Sequence, residues 1–225
     1  DLGICDRQGE GVEKDPLTAI SWYLKAAEQG HDDAQYELGK CYRNGKGVEK
    51  NFKKAVRWFS KSAEQGEPYA EFYLGVCYEC GEGVRKNYKK AAEWYIKAAE
   101  HGVPEAMYNL VCFYEYGNGV KKDSAKALEW GIKAAEQGAD RAQYYLARCY
   151  EDGKGVELNC AKAVEWYSKA TEQGNDMALY QLGQCYYSGH GIQKNEEEAI
   201  KCFKKAVRFG NKKAKETLST LLQKL

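Results

Sequence analysis

Apolar residues recur three and four positions apart in the stretch DAQYELGKCY, residues 33–42. This is the spacing of an amphipathic helix, and we name the predicted element helix A. A second predicted helix, helix B, runs in its first copy through Ala19, Trp22, Tyr23 and Ala26. No stretch shows the apolar and polar alternation of a strand. The pattern therefore predicts an all-α chain.

A glycine turn of the form Gly-x-Gly-Val/Ile separates the two helices and recurs every 36 residues. Its six copies occupy residues 9–12, 45–48, 81–84, 117–120, 153–156 and 189–192. A fixed period in this range is typical of a solenoid, in which each repeat buries its apolar face against its neighbours. The sequence therefore predicts an elongated curved rod with one continuous core.

Several other positions carry the same residue type in every copy. Alanine recurs at 19, 55, 91, 127, 163 and 199 and again at 34, 70, 106, 142, 178 and 214; leucine recurs at 38, 74, 110, 146, 182 and 218. Small residues let two helices approach closely, and the leucine fills the remaining gap. These columns are the predicted core.

Helix boundaries have their own signals. A side-chain oxygen able to accept from free backbone N–H groups precedes each helix B, at Asp15, Asn51, Asn87, Asp123, Asn159 and Asn195. Each helix B is predicted to close at a glycine, such as Gly30, that can adopt the left-handed conformation. Pro16, Pro68 and Pro104 fall at predicted first helical positions, where a missing N–H is tolerated.

The phase of the repeats predicts a single repeat domain over residues 1–225. It comprises a partial unit 1–30, complete units 31–66, 67–102, 103–138, 139–174 and 175–210, and a C-terminal capping helix over 211–225. The chain starts inside a helix A without an initiator methionine. We therefore expect it to be part of a longer protein.

Charge argues against two classes of partner. The 34 basic and 33 acidic residues are mixed along the chain and leave a net charge of +1. Such a balance creates no summed field to attract nucleic acid or an anionic membrane surface. No apolar run approaches the roughly 20 residues that span a bilayer. We expect neither a nucleic-acid partner nor membrane insertion.

Five of the nine cysteines share one repeat position, with Phe113 in the remaining copy: they are Cys5, Cys41, Cys77, Cys149 and Cys185. Exchange with phenylalanine indicates buried packing rather than disulfide pairing. Equivalent positions in adjacent repeats are also about 9–10 Å apart, too far for a bridge. Free thiols favour a reducing compartment, which we expect to be the cytoplasm.

Candidate chemistry is sparse. Cys77 and Cys80 form the only C-x-x-C, and no second half-site accompanies it. The histidines, His31, His101 and His190, occupy unrelated repeat positions, and His190, between two glycines, is predicted to be exposed. The glycine turns follow a helix rather than a strand, unlike phosphate loops. We predict no catalytic residue, no metal site, no cofactor and no enzymatic activity.

The unit DAQYELGKCYRNGKGVEKNFKKAVRWFSKSAEQG resembles the Sel-one-like repeat family, relatives of the tetratricopeptide repeats with a longer turn inside each unit. The resemblance covers essentially the whole chain. Departures are Val111 for the glycine after leucine, Gly131 for an aromatic residue, and Cys202-Phe203 for Trp-Tyr. The resemblance implies a right-handed superhelix of antiparallel helix pairs whose concave groove is lined by helix A.

Three functions are compatible with this resemblance. The favoured one is a protein-interaction adaptor that holds a peptide or partner protein in the groove. A cysteine-rich secreted branch of the family is associated with penicillin binding and hydrolysis, although the second cysteine of each repeat is absent here. A purely structural spacer is the third. We expect a monomer, with end-to-end self-association as an open alternative.

By repeat phase, three columns of helix A face the predicted groove. They are Tyr36, Phe72, Tyr108, Tyr144 and Tyr180; Lys40, Val76, Cys112, Arg148 and Gln184; and Arg43, Glu79, Glu115, Glu151 and Tyr187, with Asn109 beside the first. The rings of the first column either pack on their own repeat or face a ligand. The other two columns vary through surface drift or through partner binding. In the second case the three glutamates would select a basic partner, and Asn109 would hold its backbone.

Overall fold

Twelve α-helices form the part of the chain that the computed structural model describes, residues 16–223, with side chains described for residues 19–221 and 223. They are α1 (Pro16–Glu28), α2 (Asp32–Asn44), α3 (Phe52–Ala63), α4 (Pro68–Cys80), α5 (Tyr88–Glu100), α6 (Pro104–Tyr116), α7 (Ser124–Glu136), α8 (Asp140–Asp152), α9 (Cys160–Glu172), α10 (Asp176–Ser188), α11 (Glu196–Arg208) and α12 (Lys212–Leu222). No strand occurs within residues 16–223, and the all-α repeat fold is confirmed.

The helices alternate as the sequence predicts. Helix A of the complete repeats corresponds to α2, α4, α6, α8 and α10, and α12 is the closing helix. The chain divides into two compact units, which we name unit 1 (residues 1–122, with α1–α6) and unit 2 (residues 123–225, with α7–α12). Each unit is described by itself below. The single domain over residues 1–225 stays a prediction.

The predicted caps begin each helix B. The side-chain oxygens of Asn51, Asn87 and Asn159 each accept from the backbone N–H three residues later, at 3.0 Å. Asp123 and Asn195 do the same at 3.1 Å, while Asp15 lies outside the described residues. Because the first N–H groups of a helix have no partner inside it, these bonds fix where helix B starts.

The predicted end of helix B was placed too late. In the repeat 31–66, α3 ends at Ala63, three residues before Gly66, although Gly66 has the expected positive φ of 88°. The N–H of Gly66 bonds to the carbonyl of Ala63 at 3.0 Å, so the chain tightens into a three-residue turn before the glycine. Helix A instead ends directly on a left-handed glycine, as at Gly81 with φ 77°.

The second glycine of the turn lies against the preceding repeat. A Cβ added to Gly83, whose φ is 75°, would overlap the carbonyl oxygen of Phe52, the first residue of α3, and lie 2.5 Å from its carbonyl carbon. Gly191 has the same relation to Cys160, the first residue of α9. At these two junctions the turn of one repeat is therefore in backbone contact with the start of helix B in the repeat before it.

An aromatic ring on helix B explains why glycine follows the core leucine. Phe59 is fully buried, and a Cβ on Gly39 would lie 2.5 Å from its ring. Gly75 stands in the same relation to the buried ring of Tyr95. The missing side chain thus makes room for the ring. In the repeat 103–138 the residue types are reversed, since Val111 takes the glycine position and Gly131 the aromatic one, and both are buried.

The shared cysteine position is a packing position, as predicted. Cys41, Cys77, Cys149 and Cys185 are buried free thiols, and Phe113 at the same position is 1 % exposed. Burial raises the pKa of Cys77 to about 12. These sulfur atoms therefore fill space in the core, and the Cys77 thiol remains protonated at neutral pH.

Two positions thirty residues apart form a polar pair within several repeats. Gln65 donates to the side-chain oxygen of the buried Gln35 at 2.9 Å, and Gln173 does the same to Gln143 at 3.1 Å. In the repeat 67–102 the equivalent positions carry Glu71 and His101, with Glu71 Oε2 2.8 Å from His101 Nδ1. Each of these pairs joins the start of helix A to the end of helix B in one repeat, which satisfies a buried polar group.

Candidate functional site

The helix A residues of unit 1 form an aromatic cluster. The ring of Tyr36 is half-buried, with its centroid 5.9 Å from that of Tyr73 and 6.2 Å from that of Tyr69. Phe59 of helix B lies beneath, stacked on Tyr73 at 5.2 Å. Phe72 contacts Tyr73 edge-on at 5.3 Å. The rings of this column therefore pack on their own and the next repeat while part of their surface stays exposed.

Lys40 and Arg43, the cations that the repeat 31–66 contributes to the predicted groove columns, are engaged with neighbours. Lys40 Nζ lies 4.5 Å from the centroid of Tyr36 and 2.8 Å from Glu37. Arg43 Nε lies 2.7 Å from Glu82 of the next repeat, and its guanidinium lies 5.3 Å from the Tyr73 centroid. These contacts combine ion pairing with cation–π attraction. Both side chains thus cover the aromatic cluster rather than extend freely into solvent.

A glutamate of the predicted acidic column satisfies a buried hydroxyl in unit 1. Tyr95 is fully buried, and its hydroxyl donates to Glu79 Oε2 at 2.5 Å. Burial and this bond raise the pKa of Tyr95, and a hydrogen bond from Asn109 acts in the opposite sense. A buried hydroxyl without a partner is costly, so Glu79 has a structural role. Asn109 also contacts this core tyrosine.

We expect Glu79→Ala to lower the free energy of unfolding by about 1–3 kcal/mol, because the Tyr95 hydroxyl loses its acceptor. In a Tyr95→Phe background the same change should cost about 1 kcal/mol less. Urea denaturation of the four proteins in this double-mutant cycle measures the coupling. Equal losses in both backgrounds would show that the hydrogen bond adds nothing.

The remaining groove residues of unit 1 are half-buried. Val76 lies on α4, and Tyr108, Cys112 and Glu115 lie on α6. The Phe72 ring centroid is 5.9 Å from that of Tyr95, so this column also rests on the helix B aromatic residues. The columns read from repeat phase thus occupy one partly exposed face in unit 1.

Unit 2 contains the same hydrogen bond between a buried tyrosine and a glutamate. Tyr167, fully buried, donates to Glu151 Oε2 at 2.7 Å. Arg148 lies 3.3 Å from Glu151 through Nε and 2.8 Å from Asp152 through Nη2. The Tyr144 centroid is 5.8 Å from that of Tyr167. In the third column, Glu79 and Glu151 therefore each accept a hydrogen bond from the tyrosine on helix B of the same repeat.

The last complete repeat of unit 2 carries the equivalent residues. The ring of Tyr180 lies 5.8 Å from that of Phe203, and Gln184 donates to the Tyr180 hydroxyl at 3.0 Å. Tyr187 is half-buried, and Lys194 Nζ lies 5.7 Å from its centroid. Tyr187 takes the place of glutamate where the helix B ring, Phe203, has no hydroxyl. This repeat therefore lacks both the carboxylate and the tyrosine hydroxyl that pair in the repeat 139–174.

An open pocket of about 410 Å³ lies on unit 2, and we name it the unit 2 pocket. It brings together three of the predicted groove residues, Tyr144, Arg148 and Tyr180. Its other lining residues are Asp176, Met177, Gln181, Gly210, Asn211, Lys212 and Lys213. Aromatic and thioether groups from helix A therefore meet the start of the closing helix α12.

The sequence prediction missed some residues that line the unit 2 pocket, although their position in the repeat could have identified them. Met177 lies three residues before Tyr180 in α10, one helical turn away on the same face. Tyr69 has the same phase in unit 1. The two side chains are 47 % and 41 % exposed, which marks this as a further surface column. Lys212 and Lys213 belong to the predicted capping helix over residues 211–225, and the sequence prediction assigns them no binding role.

No group of three or more potential metal ligands occurs in the chain from residue 16 to residue 223. Over the same residues, no helix has the length and apolar character needed to cross a bilayer. Cys80 is exposed and Cys77 buried, both as free thiols, so the C-x-x-C pair is not joined. His190 is exposed, as predicted.

The repeat pattern has a direct match among known families. The Sel1 repeat matches six times, over residues 1–31, 32–67, 68–103, 104–138, 140–175 and 176–210. The chain belongs to the Sel1 repeat family. Comparison with curated proteins found no significant match.

Solved Sel1 repeat structures share the fold. The chain is 35% identical to c5321, a protective antigen of uropathogenic Escherichia coli with an SLR fold, with a TM-score of 0.90 over 99% of this chain and 48% of that one. It is also 35% identical to a Sel1 repeat protein from Oxalobacter formigenes, with a TM-score of 0.89 over 98% of this chain and 64% of the other. The chain thus spans less than two thirds of either relative.

A more distant similarity is to the immunity protein Pa5087 from Pseudomonas aeruginosa, at 26% identity and a TM-score of 0.58 over 91% of this chain and 80% of that one. Proteins built from Sel1 repeats are generally non-enzymatic scaffolds for protein interaction. Membership therefore gives the repeat fold of the chain. The surface and the partner have to be argued from its own residues.

Proposed function

We propose that this Sel1 repeat chain is a protein-interaction scaffold, and that its unit 2 pocket binds an acidic segment of a partner protein that also carries an apolar side chain. The observation that carries the proposal is the charge at this pocket. Arg148, Lys212 and Lys213 line it, against the single carboxylate of Asp176.

The apolar part of the pocket supplies contact area. Met177 is a large apolar side chain exposed at the surface, beside the half-buried rings of Tyr144 and Tyr180. Methionine adapts to irregular partners, and tyrosine offers a broad, rigid face at small entropic cost. An apolar side chain of a partner segment would therefore find its contact here.

The charged part of the pocket favours a negative partner. The ammonium groups of Lys212 and Lys213 form no ion pair within the described residues, whereas Arg148 already pairs with Glu151 and Asp152. Asp176 accepts a hydrogen bond from Asn211 at 3.0 Å. Both lysines belong to the first turn of α12, where the helix dipole also favours an anion.

The alternative preference, a basic partner selected by Glu79, Glu115 and Glu151, stays a prediction. Two of these carboxylates already accept from buried tyrosine hydroxyls. We therefore base the proposed specificity on the lysines. Competition between acidic and basic peptides separates the two preferences directly.

The test is fluorescence anisotropy with two peptides that share one apolar residue and differ only in carrying three glutamates or three lysines. We expect the acidic peptide to bind at least about tenfold more tightly at low salt, and the double variant Lys212→Glu/Lys213→Glu to weaken it by about tenfold. Met177→Ala should weaken both peptides through lost contact area.

A matched control changes the same charge elsewhere on unit 2. Lys204→Glu/Lys205→Glu alters α11, which does not line the pocket, and should leave binding within about twofold once salt screens the long-range field. Equal binding of both peptides, or equal loss in both double variants, would overturn the acidic preference. Binding of neither peptide would favour a spacer.

A further inference from the structure

A cysteine and a histidine from adjacent repeats meet on the surface of unit 2. Cys160 Sγ lies 2.9 Å from His190 Nε2. Cys160 is half-buried and His190 is exposed, so the sulfur is at the surface with a basic nitrogen beside it. Neither residue belongs to the unit 2 pocket.

The fold itself produces this contact. Gly191 lies against the backbone of Cys160, since an added Cβ would be 2.5 Å from the Cys160 carbonyl carbon. The residue just before Gly191 is therefore held beside the first residue of α9. In the preceding repeat pair the equivalent residues, Ser124 and Lys154, line one common pocket. The junction thus places these two positions near each other in both repeat pairs of unit 2, and of these two only this one carries a thiol and an imidazole.

The surroundings provide the Cys160 thiol with a proton acceptor. The His190 imidazole nitrogen lies within hydrogen-bond distance of the sulfur, and it is a base to which a thiol can pass its proton during reaction. Cys160 is also the first residue of α9, where free backbone N–H groups stabilise a negative charge. Lys162 Nζ lies over the Tyr150 ring at 5.4 Å, so it is oriented toward that ring.

Two other described thiols, Cys80 and Cys185, lie in a different setting. Cys80 is exposed, but burial of its sulfur and the charges of Glu79 and Glu82 raise its pKa. Burial raises the pKa of Cys185 to about 11, and the nearby Cys160 adds to the effect. The chain therefore offers a contrast between a thiol beside an imidazole and two thiols whose pKa is raised.

We propose that Cys160 and His190 form a reactive thiol site that exchanges with low-molecular-weight disulfides such as oxidised glutathione. The Cys160 thiolate attacks one sulfur of the disulfide, and a new sulfur–sulfur bond forms as the original one breaks. The electron pair leaves on the second sulfur, which takes up the proton held by His190. Cys160 is thereby oxidised to a mixed disulfide, and half of the reagent is reduced to a thiol.

The test measures the rate at which each cysteine of the native chain reacts with oxidised glutathione near neutral pH. Acid quenching, digestion and mass spectrometry resolve the sites. We expect Cys160 to react at least about tenfold faster than Cys80. His190→Asn should remove most of this difference while leaving the rate at Cys80 unchanged.

The variants use residues that the chain already tolerates at these repeat positions. Asn118 is the repeat equivalent of His190, and Ser124 is that of Cys160. Both His190→Asn and Cys160→Ser should therefore keep the thermal unfolding midpoint, which circular dichroism checks. Cys160→Ser should abolish the fast adduct.

Three outcomes would overturn the proposal. The first is a reaction rate at Cys160 no higher than that at Cys80. The second is a Cys160 rate that does not change in His190→Asn. A bond between Cys160 and Cys185, detected as a crosslinked peptide pair without added glutathione, would replace the mixed disulfide by an internal one. Fast adduct formation that depends on His190 supports the site.

Discussion

Gly83→Ala should destabilise the chain by about 3–5 kcal/mol, although it adds a single methyl group. The backbone at Gly83 has φ 75°, which disfavours any Cβ, and the added carbon would overlap the carbonyl of Phe52. Backbone cannot move aside as a flexible side chain can. The turn would have to separate from the start of α3, which breaks the junction between two repeats. Urea denaturation followed by circular dichroism measures the loss.

Gly102→Ala is the matched control for this substitution. Gly102 has a similar φ of 87°, but an added Cβ would meet nothing within 4 Å. Only the conformational strain remains, and we expect a loss of about 1–2 kcal/mol. Equal losses at the two positions would show that φ alone matters and that the contact with Phe52 does not hold the repeats together.

Phe59→Ala should lower the free energy of unfolding by about 3–5 kcal/mol. The ring is fully buried, stacks on Tyr73 and fills the space that Gly39 leaves open. Its removal opens a cavity beneath the aromatic cluster. Gly39 has no side chain that could fill this cavity. Chemical denaturation monitored by tyrosine and tryptophan fluorescence measures the change.

Tyr116→Ala removes a ring of similar size from the same unit as a control. Tyr116 is 78 % exposed at the end of α6, so we expect a change within about 0.5 kcal/mol. A loss at Phe59 no larger than that at Tyr116 would contradict the account of the core given above.

Repeat period and cap chemistry make most of the fold predictable from the sequence. The cap residues from Asn51 to Asn195 begin their helices where expected. Each side-chain oxygen accepts a hydrogen bond from the backbone N–H three residues later, which has no partner inside the helix. The end of helix B was less predictable. A tight turn between Ala63 and Gly66 depends on bonds that no single residue type announces.

The candidate site was predictable only in part. Repeat phase gives the direction of a side chain around its helix, and three residues of its columns, Tyr144, Arg148 and Tyr180, line one pocket. It could not show that Glu79 and Glu151 bind tyrosine hydroxyls sixteen residues later, because that bond requires the distance between two helices. A comparison of paired positions within each repeat, glutamate with tyrosine and tyrosine with phenylalanine, contains this information.

The two kinds of junction differ in what they demand of the sequence. Between repeats, the contact of Gly83 with Phe52 involves backbone atoms, so it does not depend on which side chain the residue at the start of helix B carries. Within a repeat, Glu71 requires a donor such as His101, and a buried carboxylate opposite an apolar residue would be left unpaired. Duplication of a whole repeat therefore inherits a matched pair, whereas shuffling single helices separates it. An array of this kind can lengthen by copying 36-residue segments without redesigning its interior.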